Sequence, residues 1–370
     1  MRVAIDARGI NCYKGTGIAT YTSNLLENIL SLDSENYYHL YWSGGNYKSY
    51  AKQNSKLLLS SNKYHTFFEE RYFPSNLDRE NIDVFHVPQN GIGLSENIHC
   101  KKIVTIHDLI PYVMPETVGK GYLKKFLMEM PRIIELADAI ITVSSYSKND
   151  ILRFFPINPE KIFVTPLAAS KKYTPLDSVY CKTFLREHYM INKPFILYIG
   201  GFSPRKNVNT LIRSFSQIYS SLKEEYNLVI VGATNKDQFS YLNELGTNLD
   251  ISKHIIFTNY VPEEELPIFY NGCEVFAYPS LYEGFGLPLL EAMSCGAPVI
   301  SSNITSIPEV VRGAGILIDP LNIDDLSENL MKVLCNSNLR NSFKIKGLEQ
   351  AKNFTWKTTA KSTIAVYENM

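Results

Sequence analysis

Short apolar runs rich in Val, Ile, Phe and Tyr, each ending in loop residues and separated by stretches of helical spacing, recur from the first residues onward. They stand at Val3 to Asp6, Tyr38 to Trp42, Val84 to Val87, Ile103 to Ile106, Ala139 to Val143 and Ile162 to Thr165. Runs this short and apolar suit strands of a parallel sheet covered by helices on both faces. The pattern lapses around Lys171-Lys172-Tyr173-Thr174-Pro175-Leu176-Asp177 and Asn192-Lys193-Pro194. A second series then follows at Phe195 to Ile199, Leu228 to Val231, Ile255 to Thr258, Val275 to Tyr278, Pro298 to Ser301 and Gly315 to Ile318. The expected architecture is α/β, with one doubly wound domain over about residues 1–175, a linker, and another over about residues 193–350. Ligands of such sheets sit in the loops beyond the carboxyl ends of the strands, here in a cleft between two domains. The last segment, about residues 354–370, has helical spacing and is expected to pack back on the first domain or across both, as architecture.

Composition narrows the function. At 370 residues the chain exceeds what one core organises, and an apolar fraction of 45% separates it from disordered chains. The 37 Lys plus Arg balance 37 Asp plus Glu, so no global field draws nucleic acid or an anionic membrane, and any phosphate needs a local constellation. Six scattered cysteines without a C-x-x-C pair argue against a zinc ribbon or a disulfide framework and fit a reducing cytosol. The amino terminus enters a strand at once, without a secretory h-region, and no apolar run reaches the ~18 residues of a spanning helix. The expectation is a cytoplasmic protein, peripheral to a membrane at most.

The most informative stretch is Tyr282-Glu283-Gly284-Phe285-Gly286-Leu287-Pro288-Leu289-Leu290-Glu291-Ala292-Met293-Ser294-Cys295-Gly296-Ala297-Pro298. It follows a strand, Pro288 suits a first helical turn, and Gly296 with Pro298 ends the helix. Gly284 and Gly286 let backbone N–H groups approach a ligand at a helix N-terminus, where anions are favoured. Glu283 before the helix and Glu291 about one turn into it can grip different hydroxyls of one elongated polyol. The bland alternative is a plain turn followed by a solvated Glu.

With these residues the chain resembles the group 1 glycosyltransferases, family 4 of the retaining GT-B enzymes. The E-x7-E motif matches Glu283 and Glu291 inside an E-G-F-G-L-P context, and the likeness extends to Ile106-His107-Asp108, to Pro204-Arg205-Lys206-Asn207 and to the Trp356 helix. The resemblance implies a GT-B fold, two Rossmann-like domains facing across a cleft, and a hexosyltransferase of the EC 2.4 type acting with retention. It implies a nucleotide-sugar donor held by the C-terminal domain, a saccharide or lipid-linked acceptor on the N-terminal domain, and no cofactor. In that frame Glu283, Gly284, Phe285, Gly286, Leu287 and Glu291 bind donor, Glu283 at the sugar hydroxyls and Glu291 at the ribose.

Arg205 and Lys206 follow a strand and suit a diphosphate, as a bidentate fork plus a point charge. Many relatives carry a further Arg near Gly200 or Gly201; here Arg205 substitutes for it, or one phosphate contact is absent. Lys14-Gly15-Thr16-Gly17-Ile18 precedes a helical stretch, so the amides of Gly15 and Gly17 can face a donor phosphate or the acceptor. It is not the G-x-G-x-x-G dinucleotide fingerprint. By similarity His107 contacts the donor sugar, while Asp108 orients the acceptor or caps the next turn. Gln89 and Asn90 are candidate acceptor contacts, and His86 reads as a structural hydrogen-bonding residue.

The stretch Lys120 to Met128 mixes cations with large apolar residues; it rests on anionic lipid or, the favoured reading, docks on its own domain. No D-x-D pair occurs, which removes the usual metal site of a glycosyltransferase, so Arg205, Lys206 and helix N-termini stand in for the ion. The Pro-Arg-Lys-Asn and Ile-His-Asp-Leu-Ile-Pro forms look like those of polysaccharide mannosyltransferases, favouring GDP-mannose over UDP-sugars. A nucleotide-sugar epimerase of the same architecture and a noncatalytic sugar-nucleotide-binding protein are the rivals.

Overall fold

The computed structural model describes residues 1–232 and 236–370. The chain divides into two compact units, Met1–Leu167 with Thr355–Met370, and Ala168–Phe354.

The first unit is built on seven parallel strands: β1 (Arg2–Asp6), β2 (Tyr37–Ser43), β3 (Ser55–Ser60), β4 (Val84–Val87), β5 (Lys101–Ile106), β6 (Ala139–Thr142) and β7 (Ile162–Val164). Their spatial order is β3-β2-β1-β4-β5-β6-β7, so the winding reverses between β1 and β4. The register sets Ile5 between Leu40 and His86. Val3, Ala4 and Ile5 are wholly buried, as a strand covered on both faces requires. Strand β3 has no counterpart among the expected runs: it is an edge strand paired with β2, and its Leu59 remains exposed.

The second unit holds six parallel strands: β8 (Phe195–Ile199), β9 (Asn227–Val231), β10 (Ile255–Asn259), β11 (Val275–Tyr278), β12 (Val299–Ser302) and β13 (Ile316–Ile318). Their order is β10-β9-β8-β11-β12-β13, with the reversal between β8 and β11. Both sheets are thus doubly wound.

One boundary differs from the expectation. Residues 168–175, placed by sequence in the first domain, belong to the second unit, because the Tyr173 ring packs edge-on against Tyr270 at 5.8 Å. Asn271 further donates to the Thr174 carbonyl at 2.9 Å and accepts from the Leu176 N–H at 2.8 Å. The terminal helix Trp356–Glu368 belongs to the first unit, the first of its two expected placements. Thr355 caps it, Trp356 lies 6.1 Å from Tyr21 of the helix Gly17–Leu32, and the Thr359 hydroxyl donates to the Pro166 carbonyl at 2.6 Å. Its buried Trp356, Ala360, Thr363 and Tyr367 recur at helical spacing on one face. Loss of the Trp356 ring alone costs about 3–5 kcal/mol at such a position.

Candidate active site

In the second unit, the loops leaving β8 and β11 meet at the switch point. Beyond β8 a short 3₁₀ turn, Pro204–Lys206, ends at Asn207 in the left-handed region (φ 56°). Asn207 is locked there: its Nδ2 donates to the Pro320 carbonyl at 2.7 Å and its Oδ1 accepts from the Thr210 hydroxyl at 2.7 Å. Beyond β11, the Leu281 N–H donates to the Arg205 carbonyl at 2.7 Å and stitches the two loops together. The Ser306 hydroxyl donates to the Glu283 carbonyl at 2.9 Å and fixes the other end.

These constraints bring together Arg205, Lys206 and Glu283. Lys206 Nζ lies 2.6 Å from Glu283 Oε1 and 2.6 Å from the Tyr278 hydroxyl, which itself donates to the same Oε1 at 2.8 Å. Arg205 Nη1 donates to the Tyr282 carbonyl at 3.0 Å and stands 3.4 Å from Glu283 Oε1. Glu283 is buried, which by itself pushes its pKa up, but Lys206 and then Arg205 outweigh burial and hold it down to about 2. Arg205 and Lys206 thus both stand beside the Glu283 carboxylate, and cations are the groups that stabilise a leaving diphosphate as it gains charge.

The helix Leu287–Ser294 starts immediately beyond, with Gly286 as its N-cap (φ 105°), Pro288 in the first turn and no side-chain cap. Only glycine adopts that φ without strain, and an N-terminus without a side-chain cap suits an anion. Phe285, expected at the donor, turns its ring onto Phe354 at 5.9 Å and is engaged in packing. At Gly200 a Cβ would stand 2.8 Å from the Tyr198 hydroxyl, which excludes a side chain there; at Gly201 nothing lies within 4 Å. Arg205 is the arginine that reaches the Lys206–Glu283 pair.

Glu291 occupies a different environment. The Tyr270 hydroxyl, from the helix Leu266–Gly272, donates to its Oε2 at 3.1 Å. Burial pushes its pKa up to about 7, against the opposing pull of the Tyr270 and Tyr173 hydroxyls. It shares none of the partners named for Glu283.

In the first unit, Gly15, Gly17, Gln89, Asn90, His107 and Asp108 lie in the loops beyond β1, β4 and β5, around the other switch point. His107 Nε2 is 2.9 Å from the Pro88 carbonyl, which only accepts, so Nε2 carries the proton and Nδ1 is the acceptor nitrogen. Burial lowers its pKa to about 4, so the ring is neutral at pH 7. Asn90, a candidate acceptor contact, spends its Oδ1 on the His107 N–H at 2.8 Å. Asp108 accepts from the Ile110 N–H at 3.1 Å and caps the turn. Gln89 donates to Asp6 at 2.6 Å, and its Oε1 has no hydrogen-bond partner among the described residues. Gly15 (φ 80°) and Gly17, the first residue of its helix, have open space where a Cβ would stand. His86 uses both ring nitrogens, on Tyr367 at 2.7 Å and Thr105 at 2.8 Å.

Three groups escaped the sequence reading: Tyr278, Tyr270 and the buried Asp6–Arg8 ion pair at 2.6 Å, which Glu69 extends at 3.0 Å. The available signal was a tyrosine as the last residue of β11, where a buried hydroxyl at a carboxyl end must find a partner.

Two doubly wound parallel sheets, the second carrying a cationic cluster beside a helix N-terminus at its switch point, define the GT-B class. The same fold occurs in a sucrose-phosphate synthase from Thermosynechococcus elongatus, with TM-score 0.77 at 17% identity, covering 100% of this chain and 98% of that one. Residues 183–350 match the family of glycosyl transferases group 1, and residues 16–169 match glycosyltransferase family 4. An O-antigen chain mannosyltransferase B from Escherichia coli is 35% identical over 270 residues, 72% of this chain and 70% of that protein. A serotype-specific mannosyltransferase, WbdA, from Escherichia coli is 30% identical over 269 residues, 72% of this chain and 33% of the longer relative. The chain belongs to the group 1, family 4 glycosyltransferases. Among the described residues no helix is long and apolar enough to cross a membrane.

Proposed function

We propose that this glycosyltransferase moves mannose from GDP-mannose to a saccharide or lipid-linked saccharide acceptor in O-antigen-type polysaccharide biosynthesis, with retention and without a metal ion. The observation that carries the reading is the cluster of Arg205 and Lys206 around Glu283 at the switch point of the second sheet. The two Escherichia coli relatives are mannosyltransferases, which supports mannose.

In the reaction, the bond between the sugar C1 and the diphosphate oxygen breaks and its electron pair stays on the diphosphate. The acceptor hydroxyl oxygen bonds to C1 on the same face, and its proton passes to the departing phosphate oxygen. Arg205 and Lys206 stabilise the growing negative charge in place of a metal, and the chain has no D-x-D pair to hold one. Glu283 takes the sugar hydroxyls and Glu291 the ribose hydroxyls. Neutral His107 offers Nδ1 to a sugar hydroxyl, Gly15 and Gly17 face phosphate with their amides, and Gln89 and Asp108 lie on the acceptor side.

Purified protein incubated with a panel of sugar nucleotides tests this. Release of GDP from GDP-mannose that depends on acceptor supports it; an isomerised sugar without acceptor means an epimerase, and binding without turnover a noncatalytic protein. Turnover is expected to persist in excess EDTA, and a loss restored by magnesium or manganese overturns the metal-free step. A peripheral contact with anionic lipid has its own support. The helix Lys120–Leu136 docks through Phe126, Met130 and Ile133, while Tyr122, Leu127 and Met128 are exposed beside Lys120, Lys124 and Lys125. Flotation with phosphatidylglycerol vesicles tests it, and protein left at the bottom of the gradient overturns it.

A further inference from the structure

Tyr278 ends the run Val275-Phe276-Ala277-Tyr278 and is fully buried. Its ring is held from two sides, stacked on Tyr198 with centroids 6.2 Å apart and on Phe276 at 5.7 Å, both at 22°. Tyr198 is itself tethered, its hydroxyl donating to the Gly201 carbonyl at 2.6 Å. The Tyr278 hydroxyl is therefore carried on a fixed strand and a fixed ring. It accepts from Lys206 Nζ at 2.6 Å and donates to Glu283 Oε1 at 2.8 Å, using both hydrogen-bonding functions between opposite charges. The Lys206 ammonium, by contrast, ends a flexible four-carbon stem. The charged and titratable groups facing Glu283 are Lys206 and Arg205 from the loop after β8 and the two strand tyrosines, Tyr198 and Tyr278.

A diphosphate that engages Lys206 draws it away from Glu283, the carboxylate it touches at 2.6 Å. We propose that Tyr278 is a positioning residue whose hydroxyl stays with Glu283 and keeps the carboxylate aimed at the donor sugar when Lys206 moves to the diphosphate. The proposal rests on the sugar-nucleotide reading above. It assigns Tyr278 no contact with the diphosphate, so its effect belongs to the sugar and passes through Glu283.

The test compares the wild type with Tyr278→Phe, which keeps the ring and its stacking, with Glu283→Gln, and with the double variant. Calorimetric binding of GDP and of GDP-mannose is measured on each, together with kcat and the thermal midpoint. Tyr278→Phe is expected to bind GDP within about twofold of wild type and to bind GDP-mannose and turn it over about tenfold less well, one charge-assisted hydrogen bond being lost. The double variant is expected to be no worse than Glu283→Gln alone, because both changes remove one interaction. Equal weakening of GDP and GDP-mannose, a double variant in which the losses multiply, or a wild-type kcat in Tyr278→Phe overturns the proposal and leaves the functional reading standing. A wild type that binds neither ligand overturns both. Should Tyr278→Phe lose its cooperative thermal transition, Tyr278→Met, which also removes the hydroxyl and fills the buried site with a flexible apolar side chain, serves in its place under the same criteria.

Discussion

Glu283 and Glu291 sit on one loop-helix segment, both are buried, and each accepts a hydrogen bond from a tyrosine hydroxyl, Tyr278 for the first and Tyr270 for the second. Their acidities are nevertheless driven apart, down to about 2 at Glu283 and up to about 7 at Glu291. Burial acts in the same direction on both, so the divergence comes from neighbours. Glu283 meets Lys206 and Arg205, while the cation facing Glu291, Lys172, is itself paired with Glu263 at 2.5 Å. A cation beside a buried carboxylate fixes its charge; a phenol beside one leaves the proton exchangeable near neutrality. In the proposed reaction the fixed charge stands where bonds change, and the exchangeable one stands at the ribose, where they do not.

The largest effect is expected from breaking the contrast at its source. Lys206→Ala removes the strongest opponent of burial at Glu283, so the carboxyl pKa rises toward that of Glu291, and the diphosphate loses a cation. Turnover should fall on the order of 100- to 1000-fold, the cost of deleting one donor to developing charge. A folded Lys206 variant with near-normal kcat would reduce the Pro204–Asn207 run to a basic turn.

The next effect separates the two carboxylates kinetically. Glu283→Gln is expected to lower kcat about 10- to 100-fold, since hydroxyl contacts to the sugar strengthen as it becomes cationic. Glu291→Gln is expected chiefly to raise the donor KM, because nothing at the ribose changes charge during reaction. Steady-state kinetics on both variants decide, and the opposite split exchanges their roles.

Parts of this contrast were open to inspection in the sequence. Both glutamates, the glycines around them and the following helix are local features, and the E-x7-E segment carries the family that the comparisons establish. Twelve of the thirteen strands described coincide with β-branched or aromatic runs, whereas Ser55-Lys56-Leu57-Leu58-Leu59-Ser60 has neither alternation nor β-branching and becomes a strand only because β2 offers an edge. The ion pair between Lys206 and Glu283 joins residues 77 positions apart and is created by the winding order that sets β8 beside β11. No local pattern announces such a contact. Tyr278 and Tyr270 were obscured differently: inside apolar runs a tyrosine reads as a ring, and only three-dimensional partners give its hydroxyl a task. The domain boundary was displaced for the same reason, since Asn271 holds the Thr174 backbone from 97 positions away.

Stability against pH sharpens the comparison at a smaller scale. Glu283 has a depressed folded pKa, so its contribution is fully present above the ordinary carboxylate value and is lost only as pH falls toward about 2. Between pH 5 and 8 it supplies no slope. Glu291 has a raised folded pKa, so the folded state keeps a proton that the unfolded chain releases, and stability declines as pH rises from the ordinary carboxylate value through about 7. The shift corresponds to about 3 kcal/mol. Urea unfolding at pH 5 and pH 8 should therefore show Glu291→Gln gaining on the wild type by about that amount at the higher pH, and Glu283→Gln keeping a constant offset. Parallel pH dependence in the wild type and Glu291→Gln would show that Glu291 ionises like an ordinary carboxylate.

The smallest effect concerns Tyr270, one of the two tyrosine hydroxyls that oppose burial at Glu291. Tyr270 donates across 3.1 Å to a group that is half protonated near pH 7, whereas Tyr278 donates across 2.8 Å to a permanent anion, and hydrogen bonds to a full charge are the stronger kind. Tyr270→Phe should consequently cost about 1 kcal/mol of preference for the ionised form, moving the Glu291 titration up by less than about one unit. The sign follows from the donor: a hydroxyl that stabilises the carboxylate lowers its pKa, so its removal raises it. Carboxyl carbon NMR from pH 5 to 9, with the Glu291 signal assigned by its absence in Glu291→Gln, measures the shift directly. A midpoint that falls in Tyr270→Phe would mean that the hydroxyl accepts from a protonated Glu291 instead of donating to its anion, and the polarity given to this hydrogen bond would have to be reversed.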